Sequence, residues 1–203
     1  MQLDTIFSLI VLVMSVVVHE VSHGFVANYL GDPTARLAGR LTLNPIPHLD
    51  PIGSIFVPLL LSLIPGGFII GWAKPVPVNP YNLRGKWGEA LVSGAGPLSN
   101  ILLAVIFGLL IRFGGGLLPN SFVQIALLVV LINLVLAIFN LIPIPPLDGS
   151  KILFTFLPYQ FERFRGMYER YGFFFVLLFV VFLWQFLTPI IGFFFSLITG
   201  IRL

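Results

Sequence analysis

Long apolar runs punctuated by glycine and proline set the plan of this chain. The first, Leu3 to about Leu30, is long enough to cross a bilayer as one helix, and Gly31-Asp32-Pro33 stops it. Thr34 to Leu43 then alternates loosely between polar and apolar, which predicts an extended or hairpin segment, followed by a rigid turn at Asn44-Pro45-Ile46-Pro47. A second run, Ile52 to Ile64, is too short to span comfortably and meets Pro65-Gly66-Gly67; Phe68 to Val78, with Pro75 and Pro77, cannot be a helix interior. Two further spans are predicted, from about Ala90 to Phe113 and from Phe122 to Leu141, the second running into Pro143, Pro145 and Pro146. Lys151 to Tyr171 mixes Arg and Glu with aromatics as an interfacial helix would, and Phe173 to Leu197 forms the last apolar stretch, interrupted at Thr188-Pro189.

Charge placement orients these runs. Nine of the 11 Lys and Arg residues fall in three connections: Arg36 and Arg40; Lys74, Arg84 and Lys86; Lys151, Arg163, Arg165 and Arg170. By the positive-inside rule all three lie on the cytoplasmic side. The Ile52 to Val78 region must then enter and leave on one face, which predicts a re-entrant or extended Pro/Gly-rich loop.

Composition sharpens this reading. Of 203 residues 58% are hydrophobic and 9% charged, with a mean hydropathy of +1.03, values that define an integral membrane protein. The expected fold is an all-α polytopic bundle of four to six transmembrane segments, one membrane-embedded domain over 1–203 with its core at about 3–157 and C-terminal helices at 158–203. With no cysteine, any metal is held by nitrogen or oxygen donors. A net charge of +3 without a basic block makes nucleic acid an unsuitable partner, and no cleavable leader is recognisable.

One stretch of the first span breaks the apolar pattern: Val18-His19-Glu20-Val21-Ser22-His23. Side chains four apart share a helix face, so His19 and His23 can present two imidazoles to one zinc ion. Glu20 lies about a quarter-turn away, able to reach a metal-bound water without being a ligand. An ionisable group in hydrocarbon costs about 3 kcal/mol, so such a cluster calls for a compensating partner. The alternative is a polar helix end at the headgroups with hydrogen-bonded histidines. Charge topology puts Asp148 at similar depth, where it can supply the third ligand of a catalytic site that keeps one position open for water.

Asp148 stands in Asn140-Leu141-Ile142-Pro143-Ile144-Pro145-Pro146-Leu147-Asp148-Gly149. Together, an HExxH motif within the membrane and this distal NxxPxPxLDG motif resemble the site-2 protease family of intramembrane zinc metalloproteases, over roughly Leu3 to Leu157. The resemblance implies His19, His23 and Asp148 as ligands of one zinc per chain and Glu20 as catalytic acid/base. It suggests that Asn140, and Asn100 with it, hold substrate backbone or an oxyanion; helix-to-helix hydrogen bonds are the alternative for both. Gly94-Ala95-Gly96-Pro97-Leu98-Ser99-Asn100 is similar to the family's small-residue motif, with close helix packing as its plainer reading. Gly71 to Val78 looks like an extended loop of the family's short members that presents an edge to an unwound substrate, or else a simple cytoplasmic turn. His48 reads as a turn-stabilising residue, with a place facing the metal site as the alternative. Neither a PDZ nor a CBS domain is expected.

The function so implied is hydrolysis of peptide bonds in or near transmembrane segments of membrane-protein substrates, in a bacterial or archaeal cell membrane, with the active site toward the cytoplasm. A non-proteolytic zinc-binding membrane protein, a transporter or scaffold, is the alternative.

Overall fold

The computed structural model describes residues 2–56 and 73–202, and among these every regular element is helical. Helix α1 covers Gln2–Tyr29 and ends where Gly31 adopts φ +108, the left-handed region that glycine enters at little cost. The segment expected to be extended instead forms a short helical turn, α2, at Thr34–Leu37. Asp32 explains this correction: its Oδ1 accepts from the Thr34 backbone amide at 3.1 Å and from the Thr34 hydroxyl, which starts a turn where alternation alone suggested a strand. The re-entrant expectation falls mostly on residues 57–72, outside the described residues. Pro51–Phe56 forms one π-helical turn, and 73–79 is without regular structure.

The next helices are α3 at Gly88–Gly114 and α4 at Asn120–Asn140, both close to their expected bounds. With α1 they are the three described helices long and apolar enough to cross a membrane. The predicted interfacial helix is divided: α5 occupies Asp148–Phe156, and Leu157, extended at ψ 146 as a residue before proline must be, separates it from α6 at Glu162–Phe182. A further helix, α7, runs Trp184–Thr199. The interruption expected at Pro189 lies earlier, at Leu183, where α6 and α7 meet at 72° and can count together as one broken span. Pro189 sits inside α7, where its missing N–H leaves one carbonyl, that of Gln185, without a helical donor.

Helix α3 is central and packs on α1, α4, α5 and α7. Ala104 and Ile111 of α3, Val130 and Leu134 of α4 and Ile191 and Phe195 of α7 close an apolar core between these helices. Leu9, Ile10, Leu98, Leu102 and Phe173 are more than half exposed, the outward apolar surface that lipid rather than water would cover.

Candidate metal centre

The polar cluster gathers where α1, α3 and α5 meet. His19 and His23 lie one turn apart on α1, with ring centroids 4.6 Å apart and planes at 84°. Asp148 opens α5, after the proline-rich turn that follows α4. Tyr168 of α6 donates to the Pro143 carbonyl at 3.0 Å and holds that turn in place. Gly149 must be glycine there, since a β-carbon would stand 2.6 Å from the Ile142 carbonyl oxygen.

Each ring is oriented from behind. Nδ1 of His23 donates to the Val92 carbonyl of α3 at 2.7 Å, and Nδ1 of His19 donates to Asn100 Oδ1 at 2.6 Å. Pro97 cannot donate to the Ser93 carbonyl, so α3 is one helical hydrogen bond short next to the Val92 carbonyl that meets the ring. Both acceptors are oxygens, so both neutral rings carry their proton on Nδ1 and turn a lone pair outward on Nε2. Those two Nε2 atoms are 3.0 Å apart and lie 3.1 Å and 3.2 Å from Asp148 Oδ2.

Three acceptor atoms in mutual contact, on residues no more than 8% exposed, repel one another unless something positive sits among them. Ligands of a tetrahedral zinc, each about 2.0–2.1 Å from the ion, stand about 3.3 Å apart. The observed triangle has nearly that size, so the donor set fits a zinc ion. These three residues form the one such His/Asp/Glu cluster found among the described residues. Gly96 of α3 faces both rings: a β-carbon there would lie 2.6 Å from His19 Nε2 and collide with His23 Nε2 as well.

A cavity of about 280 Å³ opens on the cluster. Glu20 lines it, with Oε2 accepting from the Val76 backbone amide at 2.7 Å. Asn140 and Lys151 line it too, and Lys151 Nζ is 3.8 Å from the second Asp148 oxygen. Asn140 spends one amide N–H on the Leu136 carbonyl at 2.9 Å. Asn100, the other expected substrate contact, is fully buried and its amide is engaged by His19, Asn133 and the Ser15 carbonyl. Its neighbour is therefore the His19 ring and not the cavity surface. His48 donates from Nε2 to the Thr42 carbonyl at 2.9 Å, within its own turn. Ser15, Asn133 and the Val92 carbonyl were not singled out from sequence, although an amide at position 133 in an otherwise apolar helix is itself a signal.

Two imidazoles and one carboxylate form a donor set that fits a catalytic zinc centre, with the Glu20 carboxylate in the adjoining cavity, here in a membrane-type helical bundle. The comparisons agree with that class. Residues 7–116 and 115–183 match the sequence profile of peptidase family M50, and the chain belongs to that family, the site-2 proteases. It is 40% identical over 192 residues to "Putative zinc metalloprotease YwhC" of Bacillus subtilis, covering 91% of this chain and 81% of that protein. It is 31% identical over 177 residues to "Putative zinc metalloprotease Rip2" of Mycolicibacterium smegmatis, covering 83% of this chain and 64% of that one. The Mycobacterium tuberculosis Rip2 matches at 29% over 195 residues, 91% of this chain and 68% of that protein. No solved structure matches the chain significantly.

Proposed function

We propose that this chain is an intramembrane zinc metallopeptidase that cleaves peptide bonds in or near transmembrane segments of other membrane proteins. His19, His23 and Asp148 would hold one zinc ion. The observation that carries this reading is the convergence of two Nε2 lone pairs and a carboxylate oxygen within 3.0–3.2 Å, beside a cavity that Glu20 lines. When bound, zinc brings the pKa of a bound water toward about 7 and polarises a carbonyl.

The chain's own groups supply the rest. Glu20 takes the proton of the attacking water and returns it to the leaving nitrogen, its carboxylate oriented by the Val76 amide. Asn140, with its remaining N–H and its carbonyl, is available to the substrate backbone in the same cavity. A substrate helix hides its scissile carbonyl in a hydrogen bond and must unwind first, and the irregular segment 73–79 lines the cavity as a surface for the unwound form. The positive-inside pattern supports an active site toward the cytoplasm of a bacterial or archaeal membrane.

A zinc transporter would carry ligands along a path on both sides of the midplane. The candidate groups here gather at one depth, which favours the peptidase. In purified protein Glu20→Gln should bind zinc as the wild type does and lose cleavage of membrane peptides by about a hundredfold or more. Full activity in that variant would sink the proposal, and zinc flux in liposomes without cleavage would establish the transporter.

A further inference from the structure

Behind His19 lies a buried chain of polar groups that reaches into α4. Asn100 and Asn133 are 0% exposed and Ser15 of α1 is 3% exposed, so water does not reach these groups and each must find its partner within the protein. Asn133 donates both amide hydrogens, one to the Val129 carbonyl and one to the Ser15 hydroxyl, each at 2.9 Å. Its oxygen accepts from Asn100 Nδ2 at 2.7 Å, and the same nitrogen donates to the Ser15 carbonyl at 3.3 Å. Asn100 is left with only its oxygen to offer His19 Nδ1, at 2.6 Å.

The direction of this chain is not free. The Val129 carbonyl can only accept, which sets the Asn133 amide; Asn133 then sets the Asn100 amide. Turning Asn100 over would press its oxygen against the Asn133 and Ser15 oxygens, and would point an N–H at the ring. His19 would then have to accept on Nδ1, move its proton to Nε2 and withdraw the lone pair from the cluster.

We propose that Asn133 and Ser15 are positioning residues that act through Asn100 to hold His19 in its Nδ1–H form, so that Nε2 stays open to an ion. The inference rests on the zinc reading above, but it assigns a task to residues outside both sequence motifs.

The test is zinc affinity, measured by competition with a fluorescent chelator on metal-stripped full-length protein in detergent. Asn133→Leu should weaken zinc binding about tenfold or more, the scale of loss when a partner behind a ligating histidine is removed. Asn133→Asp, whose carboxyl stays protonated in so buried a place and donates to the Val129 carbonyl, keeps an acceptor facing Asn100 and should stay within about threefold of wild type by the same reasoning. The double variant Asn100→Asp/Asn133→Leu is the discriminating one. A carboxylate at 100 presents an acceptor to His19 whichever way it turns, so affinity should recover toward wild type; a loss caused by packing alone would not be restored. If leucine at 133 is not tolerated, as judged by helical circular dichroism, Asn133→Ala carries the same expectations, alone and with Asn100→Asp. Unchanged affinity in a folded Asn133 truncation, or a loss that Asn100→Asp leaves in place, overturns the inference. Absence of zinc binding in the wild type overturns the metal reading instead.

Discussion

The Val76 backbone amide donates to the Glu20 carboxylate, tying a stretch without regular structure to the helix that carries both histidines. Neighbouring bonds keep that stretch in place: Lys74 donates its amide to the His48 carbonyl at 2.9 Å, Arg40 Nη2 reaches the Lys74 carbonyl at 2.7 Å, and the Asn79 amide meets Asp32 Oδ2 at 2.7 Å. Pro75 and Pro77 have no N–H, so between residues 75 and 77 the amide of Val76 is the donor the backbone has to give.

Val76→Pro removes that donor at a position flanked by prolines, where the proline that follows already disfavours helical backbone. A hydrogen bond to a charged group is worth about 1.5–3 kcal/mol, so peptide cleavage should fall about tenfold or more. Zinc affinity should be unchanged, because Val76 does not touch the histidines' donor atoms. An unaltered or faster rate would mean that the contact restrains Glu20 and does not orient it.

Gly96→Ala places a methyl group against both imidazoles, and neither ring can retreat without giving up its bond to α3. Overpacking of this kind costs about 1–3 kcal/mol, and zinc affinity should drop by about tenfold to a hundredfold. Gly94→Ala, two residues away with open space around it, is the matched control and should bind zinc as the wild type does. Equal affinities in the two variants would show that the rings do not need the close approach of α3.

Asp32, outside the spans, is a carboxylate whose protonation is set by its neighbours. Burial alone would push its carboxyl up, but hydrogen bonds from the Thr34 hydroxyl, the Asn82 side chain and the Asn79 and Thr34 backbone amides outweigh burial and hold it below the usual carboxylate value. A group depressed in the folded state contributes stability that is complete above its unfolded value, about 3.9, and is lost as pH falls through the folded one. Asp32→Asn replaces one of two accepting oxygens with a donor that faces other donors, so it should lower stability at pH 7 by about 1–3 kcal/mol, the cost of leaving a buried donor without its acceptor. Thermal unfolding in detergent should show the gap between variant and wild type narrowing only below about pH 4. A gap that already closes between pH 7 and 5 would refute this account.

Most of the arrangement was legible in the sequence, because membrane segments announce themselves by length and because His19, Glu20, His23 and Asp148 are polar where polarity is costly. The ends of α1, α3 and α4 followed from glycine and proline for the same reason. What escaped depends on which partner a side chain takes, near or far in the chain. Thr34–Leu37 coils because the Asp32 side chain rewards a turn, a local bond that outweighs weak alternation. Asn100 was visible as an amide needing a partner, but which partner depends on how α1, α3 and α4 are packed together. Gly96 looked like any packing glycine until the rings were seen beside it.

Helix α3 alone provides the Val92 carbonyl, the Asn100 amide and the bare backbone at Gly96, so the bearing of both imidazoles reports how that helix is seated on α1. An ion that binds only the seated arrangement works as a rivet between them. Saturation at a hundred times its dissociation constant would tighten the assembly by about 2.7 kcal/mol. Chelators should then loosen this end of the bundle well before its helices melt.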